Sequence, residues 1–183
     1  SATITDVKVD KENSYELTQD ADNLFWNVSD GKTTEKADTT KAGTVTSAIG
    51  SLAYDKFVDY NCTDDSKYGF DDPYAVITVK YTEEEQETQT VEKTLTIYVG
   101  DETGDDRYVK VDDSKEVYTI TKDSLTDILD STMSDFYNLT VSYVSSNDLD
   151  SLEVQSADGD HTINIVTETV KAEDEDTTDD TDS

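Results

Sequence analysis

The chain has 183 residues, 44 acidic and 14 basic, for a formal charge of −30. That length suits one domain with a core of its own, while the charge excludes nucleic acid, which needs clustered Lys and Arg, and anionic membrane surfaces. A single Cys and a single His exclude an internal disulfide and a multi-histidine metal site, and no apolar run of about 18 residues offers a membrane span.

Ile4–Val9 alternates Thr5, Val7 and Val9 against Asp6 and Lys8, the period-two signature of a half-buried strand. A polar turn at Asp10–Ser14 leads into Tyr15–Thr18 and completes a hairpin. Phe25–Val28 predicts a short aromatic strand ended by the turn signal Asp30-Gly31. Asp38 or Thr39 can cap a helix whose Val45, Ala48, Ile49 and Leu52 share one face. Gly43 and Gly50 weaken that helix, which must therefore lean on packing. Phe57–Cys62 predicts a strand with Val58, Tyr60 and Cys62 on one side.

Tyr68–Pro73 marks a turn, since Pro73 drives Asp72 away from helical geometry. Ala75, Ile77, Val79 and Tyr81 form the apolar face of the next strand, followed by an acidic loop at Glu83–Glu87. Leu95, Ile97 and Val99 define another strand, and shorter ones follow at Tyr108–Val111 and Val117–Ile120. Ser124 is the expected cap of a second helix carrying Leu125, Ile128 and Leu129. Leu139, Val141 and Tyr143 open a further strand. The fold class is α+β: an antiparallel β-meander with two short helices.

Near the C-terminus the chain begins to repeat itself. Leu149, Leu152, Val154 and Ile163 echo Ile4, Val7, Val9 and Leu17, with one residue of slip in the turn. A second copy is thus expected to begin at about residue 146, inside a domain running from 1 to 170. The remaining segment, 171–183, holds seven acids and one Lys and is expected to be a disordered tail; without it the chain still has 37 acids against 13 bases, or −24. The chain begins at Ser1 rather than Met, so any export signal is expected to have been trimmed. Sparse Lys, one Pro, eleven Tyr and abundant Thr, Ser and Asp are compositionally associated with exported bacterial proteins.

The order of these features resembles a bacterial family known as domain of unknown function 4340. The resemblance rests on Trp26 after a hairpin, an amphipathic helix, Tyr68-Gly69-Phe70-Asp71-Asp72-Pro73, then Thr94-Leu95-Thr96-Ile97-Tyr98-Val99-Gly100. Arg107-Tyr108-Val109 and Glu116-Val117-Tyr118-Thr119-Ile120 complete it, and it covers Ile4 to Ile165. Phe70 replaces the family's usual Leu, and Tyr98-Val99 are inserted before Gly100. The resemblance implies an envelope-associated protein, commonly lipid-anchored and often encoded beside ABC-type transporter components. It brings no established activity and no catalytic residues.

Local motifs add little chemistry. Ser29-Asp30-Gly31-Lys32 has the Ser-x-x-Lys form of penicillin-interacting enzymes, but it lies in a predicted turn without a Lys-Thr-Gly partner. With 44 acids, paired carboxylates occur by chance and do not indicate glycoside hydrolysis. Calcium is the most physical ligand, and Asp101–Asp106 and Asp158-Gly159-Asp160 are its candidate loops, though neither has the twelve-residue spacing with a closing Glu. Asn27, Asn61 and Asn138 begin formal glycosylation sequons. Cys62 is expected to be a buried structural thiol, His161 an ordinary strand residue, and Trp26 and the Tyr residues packing groups.

The leading functional expectation is a non-catalytic, extracytoplasmic binding or scaffold module of a bacterial envelope, without cofactor or metal. Its edge strands and exposed aromatic positions would contact an envelope protein, transporter subunits included. The alternative is an acidic surface protein that collects calcium or another cationic ligand; the bland reading of the charge is colloidal solubility.

Overall fold

Branched residues alternating with polar ones start the sheet. β1 (Ala2–Asp10) and β2 (Tyr15–Gln19) pair Val7 with Leu17 and Val9 with Tyr15, and all four side chains are buried. β3 (Trp26–Ser29) continues outward from β2 and buries Trp26 and Val28. A turn follows in which Asp30 Oδ1 accepts the N–H groups of Lys32 and Thr33, and β4 (Thr34–Lys36) closes this side of the sheet. β4 is unforeseen by the sequence pattern because all three of its residues are exposed and polar. In the computed structural model the described residues are 2–20, 22, 25–85, 89–139, 149, 151–156 and 159–164. They fall in two compact units, Ser1–Leu139 and Thr140–Ser183.

Asp38 caps α1 (Thr39–Gly50), its Oδ1 accepting from Thr40 N at 2.8 Å and Lys41 N at 3.1 Å. Ala42, Val45 and Ile49 are buried, with Ala48 and Leu52 packed against the same core. β5 (Lys56–Asp59) is shorter than the predicted strand, and the structure corrects the expected common face. Val58 and Tyr60 are exposed whereas Cys62 is buried, because pairing with the neighbouring strand slips between Phe57 and Asp59 and the strand ends there.

β6 (Ala75–Glu85), β7 (Gln89–Thr103), β8 (Asp106–Val111) and β9 (Val117–Thr121) form a second meander. Glu83–Glu85, expected in a loop, instead extend β6 by pairing with Val91–Gln89, and Glu83 binds Lys93 Nζ at 2.6 Å. Pairing of β1 with β6 joins the two meanders, and β5 sits outside β9, giving the antiparallel order β4-β3-β2-β1-β6-β7-β8-β9-β5. The meander expectation therefore holds within each half, but β5 leaves chain order.

α2 (Lys122–Leu129) follows β9 without a loop. Its cap is Thr121 rather than Ser124, since Thr121 is the last extended residue and its Oγ1 faces the Ser124 N–H at 3.4 Å. Leu125, Ile128 and Leu129 join α1, a 3-10 turn at Met133–Phe136 and the sheet in one core. Tyr15 is anchored there, its ring tilted 42° against Phe136 at 4.9 Å and its hydroxyl donating to the Ile128 carbonyl at 2.7 Å. Burial pushes that phenol well above its ordinary pKa. A smaller apolar cluster joins Cys62, Tyr68, Phe70 and Val117, with Tyr98 and Tyr108 against it.

In the second unit, β10 (Ser151–Ser156) and β11 (Gly159–Asn164) make an antiparallel hairpin pairing Leu152 with Ile163 and Val154 with His161. Val141, Tyr143, the 171–183 tail and the predicted boundary at 170 lie outside the described residues. Among the described residues no helix is long and apolar enough to cross a membrane.

Candidate functional site

The β5 end of the sheet is where this chain presents chemistry instead of burying it. Its foundation is an interlock between the Tyr68 turn and β7. Gly69 adopts φ +76°, and a Cβ there would lie 2.8 Å from Asp101 N. Gly100 is tighter still, since a Cβ would meet the Tyr68 carbonyl oxygen at 2.1 Å. The ladder between β7 and β8 is interrupted between Val99 and Glu102. There Asp101 donates its N–H to the Tyr68 carbonyl at 2.9 Å, and Arg107 Nη1 donates to the Gly100 carbonyl at 3.0 Å. A bulge thus finds outside partners for the backbone groups it frees.

From this foundation the chain holds β5 in place by side chains as well as by its ladder to β9. Tyr68 donates its hydroxyl to Asp59 at 2.9 Å, and Lys67 lies 3.6 Å from the same carboxylate. The Asn61 N–H and the Tyr68 hydroxyl hold Asp59 below the usual carboxylate range. Lys56 bridges Asp55 and the buried Asp106, reaching Asp106 at 2.8 Å, while Thr119 donates to Asp106 at 3.1 Å. The Lys56 ammonium, followed by the Thr119 hydroxyl, keeps Asp106 below its ordinary value against the cost of burial.

On this framework stands an aromatic shelf. Tyr54 and Tyr118 stack with centroids 4.0 Å apart at 13°, and Phe57 meets Tyr118 edge-on at 5.4 Å. Phe57 is 58% exposed, Tyr54 48% and neighbouring Tyr60 78%. Tyr118 donates its hydroxyl to Glu116 at 2.8 Å, which raises its pKa. Partial burial, then Glu116 and Asp112, raise that of Tyr54. Sequence reasoning treated these rings as packing groups. The usable signal was Phe57 beside Val58, because adjacent apolar residues on a strand point to opposite faces and cannot both reach one core.

The turn after β8 also borders an open cleft of about 700 Å³ lined by Cys62, Asp65, Phe70, Tyr98, Lys110 and Asp112, among others. Lys110 sits over the Phe70 and Tyr98 rings at 5.0 and 5.3 Å and pairs with Asp65 at 2.8 Å, so its charge is neutralised within the cleft wall. Asp112 turns the chain in the left-handed region, φ +49°, with its carboxylate accepting the Thr96 N–H at 2.8 Å.

The candidate calcium loop at 101–106 does not gather its carboxylates. Glu102 pairs with Arg107 and Lys122, Asp106 with Lys56, and Asp101 packs against Gly69. Asp158 of the second loop lies outside the described residues. Ser29 spends its hydroxyl on the Thr33 carbonyl at 2.9 Å, consistent with a turn. Asn27 is in β3, Asn61 follows β5, and Asn138 follows Tyr137 in an irregular stretch. Cys62 is buried with its Sγ 3.4 Å from the Asp64 carbonyl.

No curated protein and no solved structure matches the chain. A protein family described as domain of unknown function (DUF4340) matches residues 4–182.

Proposed function

The chain belongs to the DUF4340 family, and from that premise we propose that it is a non-catalytic binding or scaffold module on the outer side of a bacterial cytoplasmic membrane. In this reading it is held at the envelope by a lipid anchor elsewhere in its protein and serves an ABC-type transporter. The observation that carries the reading is the shelf. Phe57 and Tyr54 stand half-open against Tyr118 at one end of a sheet whose central apolar residues are covered. Clustered exposed aromatic side chains are the usual anchors of protein contacts.

The internal repeat is part of the same proposal. The pairs Leu152–Ile163 and Val154–His161 reproduce the register of Val7–Leu17 and Val9–Tyr15, with one additional residue in the connection. We read residues from about 146 onward as the opening of a second copy of the sheet, so that the module is built to present its surface in tandem.

In-cell cross-linking of the tagged full-length protein, with mass spectrometry of what it captures, tests the function. Recovery of permease or ATPase subunits is the expected result. Wall material alone, or nothing, from correctly exported protein would sink the reading.

A further inference from the structure

Resting on the binding-module reading, the geometry points to the Tyr54–Phe57–Tyr118 shelf as the seat of a basic, Arg- or Lys-bearing segment of a protein partner. Two independent features converge. Phe57 and Tyr54 are 58% and 48% exposed beside Tyr118, and aromatic rings carry a quadrupole that attracts cations. Glu116 and Asp112 act on the same rings, the first by accepting the Tyr118 hydroxyl and both by opposing ionisation of Tyr54.

The surplus of negative charge is local as well as global. Residues 54–72 and 110–118 contain nine acids and four lysines. Three of those lysines are already engaged: Lys56 with Asp55 and Asp106, Lys67 with Asp59, and Lys110 with Asp65. An incoming Arg or Lys would find ring faces for its cation and carboxylates for its N–H donors.

Charge also decides against the other occupants. A second copy would bring a chain of −30 against another of −30, with acid facing acid. Strand addition is disfavoured too, since β5 has only four residues, a register slip and an edge Lys, all features that blunt an edge. The contact is therefore made by side chains on the shelf rather than through the backbone of β5.

The test titrates a capped Arg–Val alternating peptide into the full chain, with a Glu–Val peptide of equal length as control. Carbon-13 signals of the Tyr and Phe rings report the place of binding, and calorimetry reports affinity. The basic peptide is expected to move the Tyr54, Phe57 and Tyr118 signals. Tyr54→Ser/Phe57→Ser should weaken it about fivefold or more, whereas Glu12→Gln/Glu35→Gln, away from the shelf, should change it less than about twofold. Equal affinity for both double variants means diffuse attraction to an acidic protein and overturns the inference. So does a dimer in sedimentation that the shelf variant abolishes. In-cell capture of an envelope partner through a non-basic segment would overturn the inference and leave the binding-module reading standing. Ring-specific binding of the peptide without any in-cell capture would support the shelf chemistry and remove the transporter.

Discussion

Val7, Val9 and Leu17 in the middle of the sheet are fully covered, whereas Phe57, Val58 and Tyr60 at its β5 end are 58%, 38% and 78% exposed. Both groups lie in or beside short antiparallel strands, so the strand itself does not decide burial. The difference comes from neighbours. β1 lies between β2 and β6, beneath α1, α2 and the Met133–Phe136 turn, while β5 has β9 on one side and, among the described residues, no strand on the other. In the second unit, Leu152 and Ile163 pair across the β10–β11 hairpin and are 47% and 56% exposed. Apolar pairing sets which residues meet, and layering on a second element sets whether they are dry.

The sharpest way to break this comparison is to truncate one residue of each group. Leu17→Ala should cost about 2–5 kcal/mol in a denaturant melt, the range for a large core side chain, while Phe57→Ala should stay within about 0.5 kcal/mol. Similar losses would mean that the β5 end is structural core. Next in size is a pair of glycines. Gly100→Ala should cost about 1–3 kcal/mol because its Cβ would collide with the Tyr68 carbonyl. Gly43→Ala, with no atom within 4 Å of the added Cβ, should stabilise α1 by up to about 1 kcal/mol. Loss of the α1 cap in Asp38→Ala should cost about 1 kcal/mol in the same melts.

A subtler effect concerns how β5 is tied down. Asp106 titrates below its ordinary value of 3.8 because Lys56 donates to it. A carboxyl depressed in the folded state adds stability above its unfolded pKa and loses it as pH falls through the folded one. The stability gap between the parent and Asp106→Asn should therefore be full near neutrality and close as pH drops below 3.8. A gap that persists in acid would show that Asp106 acts through packing alone. Ordinary surface substitutions, Tyr60→Ser among them, should barely move the melt.

The parts of the fold legible in the sequence are those governed by local rules. Period-two alternation marked β1, β2, β6 and β7, and the candidate caps Asp38 and Thr39 marked the start of α1. Less was legible where a distant partner decides. Nothing near Phe57 says that β5 will pair with β9 rather than with a sequence neighbour, and that placement leaves its rings uncovered. The Thr121 cap was hidden because β9 runs straight into α2, so no polar loop announces the boundary. The two glycines of the family pattern were visible as residues, but their purpose appears only when the Tyr68 turn and β7 are brought together. The aromatic shelf was the least legible feature, because Tyr54, Phe57 and Tyr118 meet only after β5 crosses to the outside of β9.

Position-resolved photo-cross-linking in cells tests the central claim most directly. A photoreactive residue replaces exposed Tyr60, the residue after β5, in one variant of the full-length protein, and Lys8, on the polar strand surface of β1, in another. The account predicts a discrete protein adduct from position 60 and little or none from position 8. Equal capture from both positions, or capture from position 8 alone, would contradict it.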